Sequence, residues 1–173
     1  MPRPIINSFA MQSARIDAIL PLAAEYGCDI VGLTMENSVP LKVADRLELA
    51  LELVDAANDA GVRNDHILID PVVLPLGMDH GQQHALAVRE VVATLHQMFD
   101  PPVRSICGVS NVSNGAPGDL RSAINRVFLA MLGGAGLDVA ILDVSDAEVM
   151  RSVRLIRAFR KQSMYSVSDA ELQ

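Results

Sequence analysis

The sequence predicts an α/β fold built on a parallel sheet, and three observations carry that reading. Five short apolar runs recur along the 173 residues, segments of helical spacing separate them, and three of the runs stop at a single polar side chain. The runs are continuous rather than alternating, as expected of strands covered on both faces. With half of its residues apolar, the chain can build a real core, and one domain over residues 1–173 is the expectation.

In chain order, the runs lie around Ile5 and at residues 30–33, 67–69, 105–109 and 139–142. Residues 12–26 form the first helical segment. Leu47, Leu51, Val54 and Ala57 repeat at helical spacing before Gly61, a C-terminal stop. Residues 84–98 follow as a third helix. Leu120, Ile124, Val127, Phe128 and Met131 predict a fourth, ending at Gly133 and Gly134, and residues 146–161 a fifth. Five consecutive βα units fit an open doubly wound sheet, or part of an eight-stranded barrel that typically takes about 250 residues. Length alone favours the open sheet.

A net charge of −7 argues against nucleic-acid and anionic membrane partners, which reward clustered Lys and Arg. Cys28 and Cys107 stand far apart inside apolar runs, which predicts buried reduced thiols. The opening residues lack signal-peptide anatomy and no apolar run reaches membrane-spanning length, so a cytoplasmic protein is expected. Asp79 and His80 with His84 invite a metal reading, but no further ligands stand at convincing spacing. The methionines read as core filler.

The polar ends of the runs carry the chemistry. Ile5-Ile6 leads into Asn7, Ile67-Leu68-Ile69 into Asp70, and Ile106-Cys107-Gly108-Val109-Ser110 into Asn111. In parallel α/β folds, ligands bind at the carboxyl ends of strands. Two amides and one acid, with no Lys or His beside them, suit hydrogen bonding to a flat heterocycle better than nucleophilic attack. Gly108 permits close backbone approach, and Ser110 can bond a ligand or orient Asn111. Glu36, Asn37 and Asp143 follow strands and read equally as site or capping residues.

Five ordered blocks go further: Ile6-Asn7-Ser8, Val31 to Met35, Ile69 to Pro75, Gly108 to Ser113 and Ile124 to Met131. Together they resemble the methyltetrahydrofolate:corrinoid methyltransferases. These belong to the pterin-binding barrel superfamily that also holds dihydropteroate synthase and the folate module of cobalamin-dependent methionine synthase. The resemblance implies a partial TIM-barrel-like (β/α) pterin-binding fold in which this chain supplies strands four to eight. It places residues 165–173 near the family's natural end. It also implies that the first three βα units are missing, as in a fragment from an internal start, a split gene or an incomplete reading frame.

The implied activity is transfer of the N5 methyl of 5-methyltetrahydrofolate to or from the cobalt of a corrinoid (cobalamin) on a partner protein, in one-carbon metabolism. Asp70 and Asn7 would hold the pterin edge, Asn111 would act at N5, and Gly108 and Ser110 would support it. Asn114 stands where some relatives carry glutamine. Asn125 and Arg126, within a matching block, read as a tie between helix and loop. Exposed strand edges predict a homodimer, another homo-oligomer, or a complex with the missing half. Two alternatives stand beside this reading: a truncated non-catalytic fragment or split-barrel subunit, and dihydropteroate synthase. The latter needs basic residues on its last two strands, and this chain has no Lys or Arg at either of those strand ends.

Overall fold

The computed structural model describes residues 3–11 and 16–163. Residues 12–15 of the first helical segment, and 165–173, lie outside that range. Parallel strands β1 (Ile5–Phe9), β2 (Asp29–Leu33), β3 (Ile67–Asp70), β4 (Arg104–Gly108) and β5 (Val139–Ile141) alternate with helices. The helices are α1 (Ile16–Tyr26), α2 (Val43–Asp59), α3 (Gly81–Met98), α4 (Gly118–Ala135) and α5 (Ala147–Phe159), and a 3₁₀ turn at Val109–Ser113 follows β4.

The strands lie in the order β1-β2-β3-β4-β5, each parallel to its neighbour. A doubly wound sheet reverses its strand order at a switch point; a barrel wall does not. Sequential order therefore makes this a curled half-barrel, a partial TIM-barrel-like pterin-binding fold, and excludes the open sheet that length alone favours.

Register separates the two faces. Asn7, Val31 and Leu68 align across the first three strands, and Leu33 aligns with Asp70. Gly108 aligns with Ile141, and Ile106 with Val139. Val31, Leu68 and Ile106 form the buried waist of this concave face, with Leu33 and Val139 packed on it. Ile30, Ile67, Ile69 and Cys107 point the other way, into the layer beneath the helices. At the amino end of the concave face, Arg104 Nη2 meets Asp29 Oδ2 at 2.6 Å, and His66 Nδ1 lies 3.2 Å from Asp29 Oδ1. The concave face thus runs from a charged floor through an apolar waist to a polar rim. At its open edges Ile5 and Ile141 remain 49% and 48% exposed.

Two helices bury a different stripe from the one periodicity predicts. In α2 the buried residues are Arg46, Leu49, Ala50, Leu53, Val54 and Ala57, while Leu51 is exposed. In α4 they are Asn125, Phe128, Leu129, Leu132 and Gly133, so Leu120, Val127 and Met131 face outward. Val127 and Met131 of that stripe line a cleft of about 490 Å³ between α3 and α4, with Leu76, Leu86 and Val112. Helix α4 is apolar on two sides, and the sequence pattern follows the outer one.

Gly61, with φ +89, follows the end of α2 as expected. Helix α4, however, runs through Gly133 and Gly134 and ends at left-handed Gly136. Gly133 is a packing glycine: a β-carbon there would stand 2.7 Å from Ile156 Cγ2 of α5. Arg126 pairs with Glu148 and so ties α4 to α5, a tie between two helices rather than the helix-to-loop tie expected of its block. Both cysteines are free and buried. Among the described residues no helix is long and apolar enough to cross a membrane.

Candidate functional site

The end of β3 is shaped by its own side chain. Asp70 Oδ1 accepts from the Val72 N–H at 2.8 Å, closing a turn around Pro71. Val72 is left at φ 62, a left-handed conformation that a β-branched residue adopts only under constraint. The Asp70 carbonyl accepts from Thr34 N–H at 3.0 Å, joining this turn to the end of β2. Asp70 Oδ2 makes no hydrogen bond among the described residues. Burial pushes the Asp70 carboxyl up from 3.8 to about 6, against the opposing pull of the Val72 N–H and the Arg46 charge.

Strand β4 ends at Gly108, and Asn111 stands within the 3₁₀ turn rather than at the strand end expected from sequence. That turn is self-supporting. Ser113 Oγ donates to the Ser110 carbonyl at 3.1 Å, and Asn114 N–H donates to the Asn111 carbonyl, also at 3.1 Å. The Leu76 N–H donates to the Val112 carbonyl at 2.8 Å, so the loop after β3 is fastened to the turn after β4. Glycine at 81 lets α3 start directly beneath that loop, because a β-carbon there would lie 2.4 Å from the Leu76 carbonyl oxygen.

The structure brings Asn7, Asp70 and Gly108 onto one concave face, with Ser110, Asn111 and Asn114 in the adjoining turn. Asn7, however, lies in the middle of β1, level with Val31 and Leu68, rather than at the strand end expected from sequence, because β1 continues to Phe9. Among the described residues, the side-chain amides of Asn7, Asn111 and Asn114 make no hydrogen bonds. All three are exposed. The set can therefore accept through a carboxylate, and donate and accept through amides, across an open face. Five strands wall in only part of a barrel, so these residues face an open concavity.

Other sequence candidates have local partners. Asp143 accepts from the N–H and Oγ of Ser145, which hold its carboxyl below the usual range; it is a turn residue. Glu36 and Asn37 line a polar cleft with Asp45 and Glu48, beside α2. His80 Nδ1 lies 3.0 Å from Gln83 Oε1 at the start of α3.

His84 is buried, and its Nδ1 is 2.6 Å from Arg46 Nη2. A guanidinium has no acceptor, so Nδ1 accepts and His84 is neutral with its proton on Nε2. That nitrogen is unavailable to the metal considered from sequence. Sequence reasoning missed Arg46 itself, the largest fully buried side chain among the described residues. Its signal was an arginine in phase with Leu49, Leu53 and Ala57.

The pterin binding enzyme family matches residues 3–143. Methionine synthase of Mycobacterium tuberculosis is 30% identical over 136 residues, covering 76% of this chain and 11% of the relative. Methionine synthase of Mycobacterium leprae is 28% identical over 152 residues, covering 83% of this chain and 12% of the relative. The chain thus spans only about an eighth or less of the length of these relatives. With the family match running across all five strands of the half-barrel, the chain belongs to the pterin-binding enzymes.

Proposed function

We propose that residues 1–173 form one pterin-binding domain that takes 5-methyltetrahydrofolate and serves transfer of its N5 methyl group to or from a corrinoid protein. Asp70 carries this reading: an inward carboxylate with one oxygen tied to Val72 and the other unbonded, in a chain of a pterin-binding family. Its ionised form accepts from the 2-amino and N3–H groups of the pterin. Asn7, on the same face, donates and accepts along the ring. Similarity to methionine synthases supports the folate substrate and the methyl-transfer chemistry.

Asn111 is the residue assigned to the reacting centre. As the methyl leaves, the N5 lone pair develops, and a carboxamide N–H donated to it strengthens toward the transition state. An amide does not ionise at neutral pH, so the proton N5 finally takes comes from water or a neighbouring acid. Ser110 and Asn114 flank that contact in the same turn. The cobalt of the corrinoid, on its own protein, supplies the nucleophile. The test is Asn111→Ala, with methyl transfer and 5-methyltetrahydrofolate affinity measured on one preparation. Transfer should fall far more than affinity; equal loss of both would make Asn111 a binding residue only.

A second reading, a split-barrel subunit or non-catalytic fragment, is favoured by the exposure of Ile5 and Ile141 at the two edges of the concave face. Further βα units or a second copy would cover them. Light scattering distinguishes these, since self-association doubles the mass and a lone half-barrel does not.

A further inference from the structure

Arg46, near the start of α2, has no exposed surface. Its three hydrogen bonds go to neutral acceptors: Nε donates to the Pro40 carbonyl at 2.7 Å, Nη1 to the Pro71 carbonyl at 2.6 Å, and Nη2 to His84 Nδ1 at 2.6 Å. Burial lowers its pKa to about 10, which still leaves it charged at neutral pH. Taking a guanidinium out of water is costly even when its donors are met, and an aliphatic side chain would have continued the Leu49–Leu53 stripe. Packing alone does not call for arginine here.

The three acceptors give the reason. Pro40 belongs to the loop after β2, Pro71 follows Asp70 directly, and His84 is on α3. One planar fork therefore joins two site loops and the next helix, and its fixed geometry sets where Pro71, and so the Asp70 turn, stands.

We propose that Arg46 is a positioning residue of the pterin site, holding the strained Asp70–Pro71–Val72 turn so that the Asp70 carboxylate faces the concave surface as an anion. This rests on the reading of Asp70 as the pterin acceptor. The charged and titratable groups around the pair are few. Asp70 interacts electrostatically with Arg46 of α2 and Cys107 of β4, and Arg46 with Asp70, Cys107 and His84. His84 faces Arg46 and His80. Arg46 is the cation in this set that favours ionised Asp70.

The test is a carbon-13 NMR titration of the Asp70 carboxyl in the 173-residue chain, with pterin affinity measured separately. Arg46→Met should raise the Asp70 midpoint by about one pH unit and weaken 5-methyltetrahydrofolate binding at pH 7 by about tenfold. Raising the pH should partly restore that binding. Arg46→Lys, which keeps the charge and loses the fork, should leave the midpoint near wild type yet bind less tightly. If Arg46→Met does not fold, His84→Leu and His84→Gln serve instead. Leucine strands one arginine arm and should weaken binding, and glutamine, which offers an acceptor, should restore it. A folded Arg46→Met with an unmoved midpoint, or equal affinities for the two His84 variants, would overturn the proposal. A midpoint shift in Arg46→Met together with a wild type that binds no pterin would sink the Asp70 reading and leave Arg46's control of the carboxylate standing.

Discussion

The side-chain nitrogen of Asn111 lies 3.2 Å from the point where a β-carbon on Gly108 would stand. The glycine that ends β4 therefore makes room for the carboxamide three residues later, which folds back over the strand end. From sequence, Gly108 was expected to admit the ligand; the structure gives that space first to Asn111.

Gly108→Ala should accordingly damage function while sparing the fold. Gly108 has φ −78, which alanine adopts freely, and the group in its way is the tip of an exposed side chain. Stability should change by less than about 1 kcal/mol in urea unfolding. Methyl transfer should fall at least about tenfold as Asn111 is displaced. A fully active alanine variant would show that the Asn111 position does not depend on Gly108.

Asp70 pairs function with a cost in stability. Its folded pKa is raised from 3.8 to about 6, so its protonated form stabilises the fold fully below 3.8, and that contribution is lost as pH rises through about 6. Asp70→Asn should raise stability at pH 7 by about 1–2 kcal/mol after allowance for partial exposure. It should also weaken pterin binding. In the wild type, affinity should strengthen from pH 5 to 7 with a midpoint near 6, checked by titration at several pH values.

His84 works in the opposite sense. Burial, then the Arg46 charge, then His80 lower its pKa from 6.5, so it contributes stability that is present above 6.5 and lost as pH falls through the depressed value. In an Asp70→Asn background, acidification from pH 7 should therefore lower the urea midpoint. Adding His84→Gln, an acceptor that does not titrate, should flatten that slope. An unchanged slope would mean that another group dominates the acid limb.

Gly81 supports the loop that carries the Asp70 turn. A β-carbon at 2.4 Å from one backbone carbonyl oxygen and 2.5 Å from another cannot be accommodated by rotating a side chain. Gly81→Ala should cost about 2 kcal/mol or more in chemical unfolding. Near-neutral behaviour would show that the loop moves freely.

Five strands were legible as apolar runs: β2, β3 and β4 because they are buried on both faces, and the edge strands β1 and β5 because they carry apolar residues even though Ile5 and Ile141 stay exposed. Asn7, Asp70 and Gly108 were legible because each falls where such a run meets polar or small residues. Strand order was not, since helical and strand periods carry no information about which strands pair. Arg46 was missed because an arginine reads as surface, although its phase matches the buried stripe. The faces of α2 and α4 were misread for a related reason: both helices carry more apolar residues than the sheet covers, so spacing alone chose Leu51 and Val127, which are exposed. Asn111 was placed one turn too early because small polar residues after a strand do not distinguish a strand end from a 3₁₀ turn.

Calorimetric titration of the 173-residue chain with 5-methyltetrahydrofolate, beside Asp70→Ala, tests the pterin site most directly. Saturable binding by the wild type, abolished in the variant, is the expected result. A folded wild type that releases no heat of binding, or an Asp70→Ala protein that binds equally well, would contradict a pterin site built around Asp70.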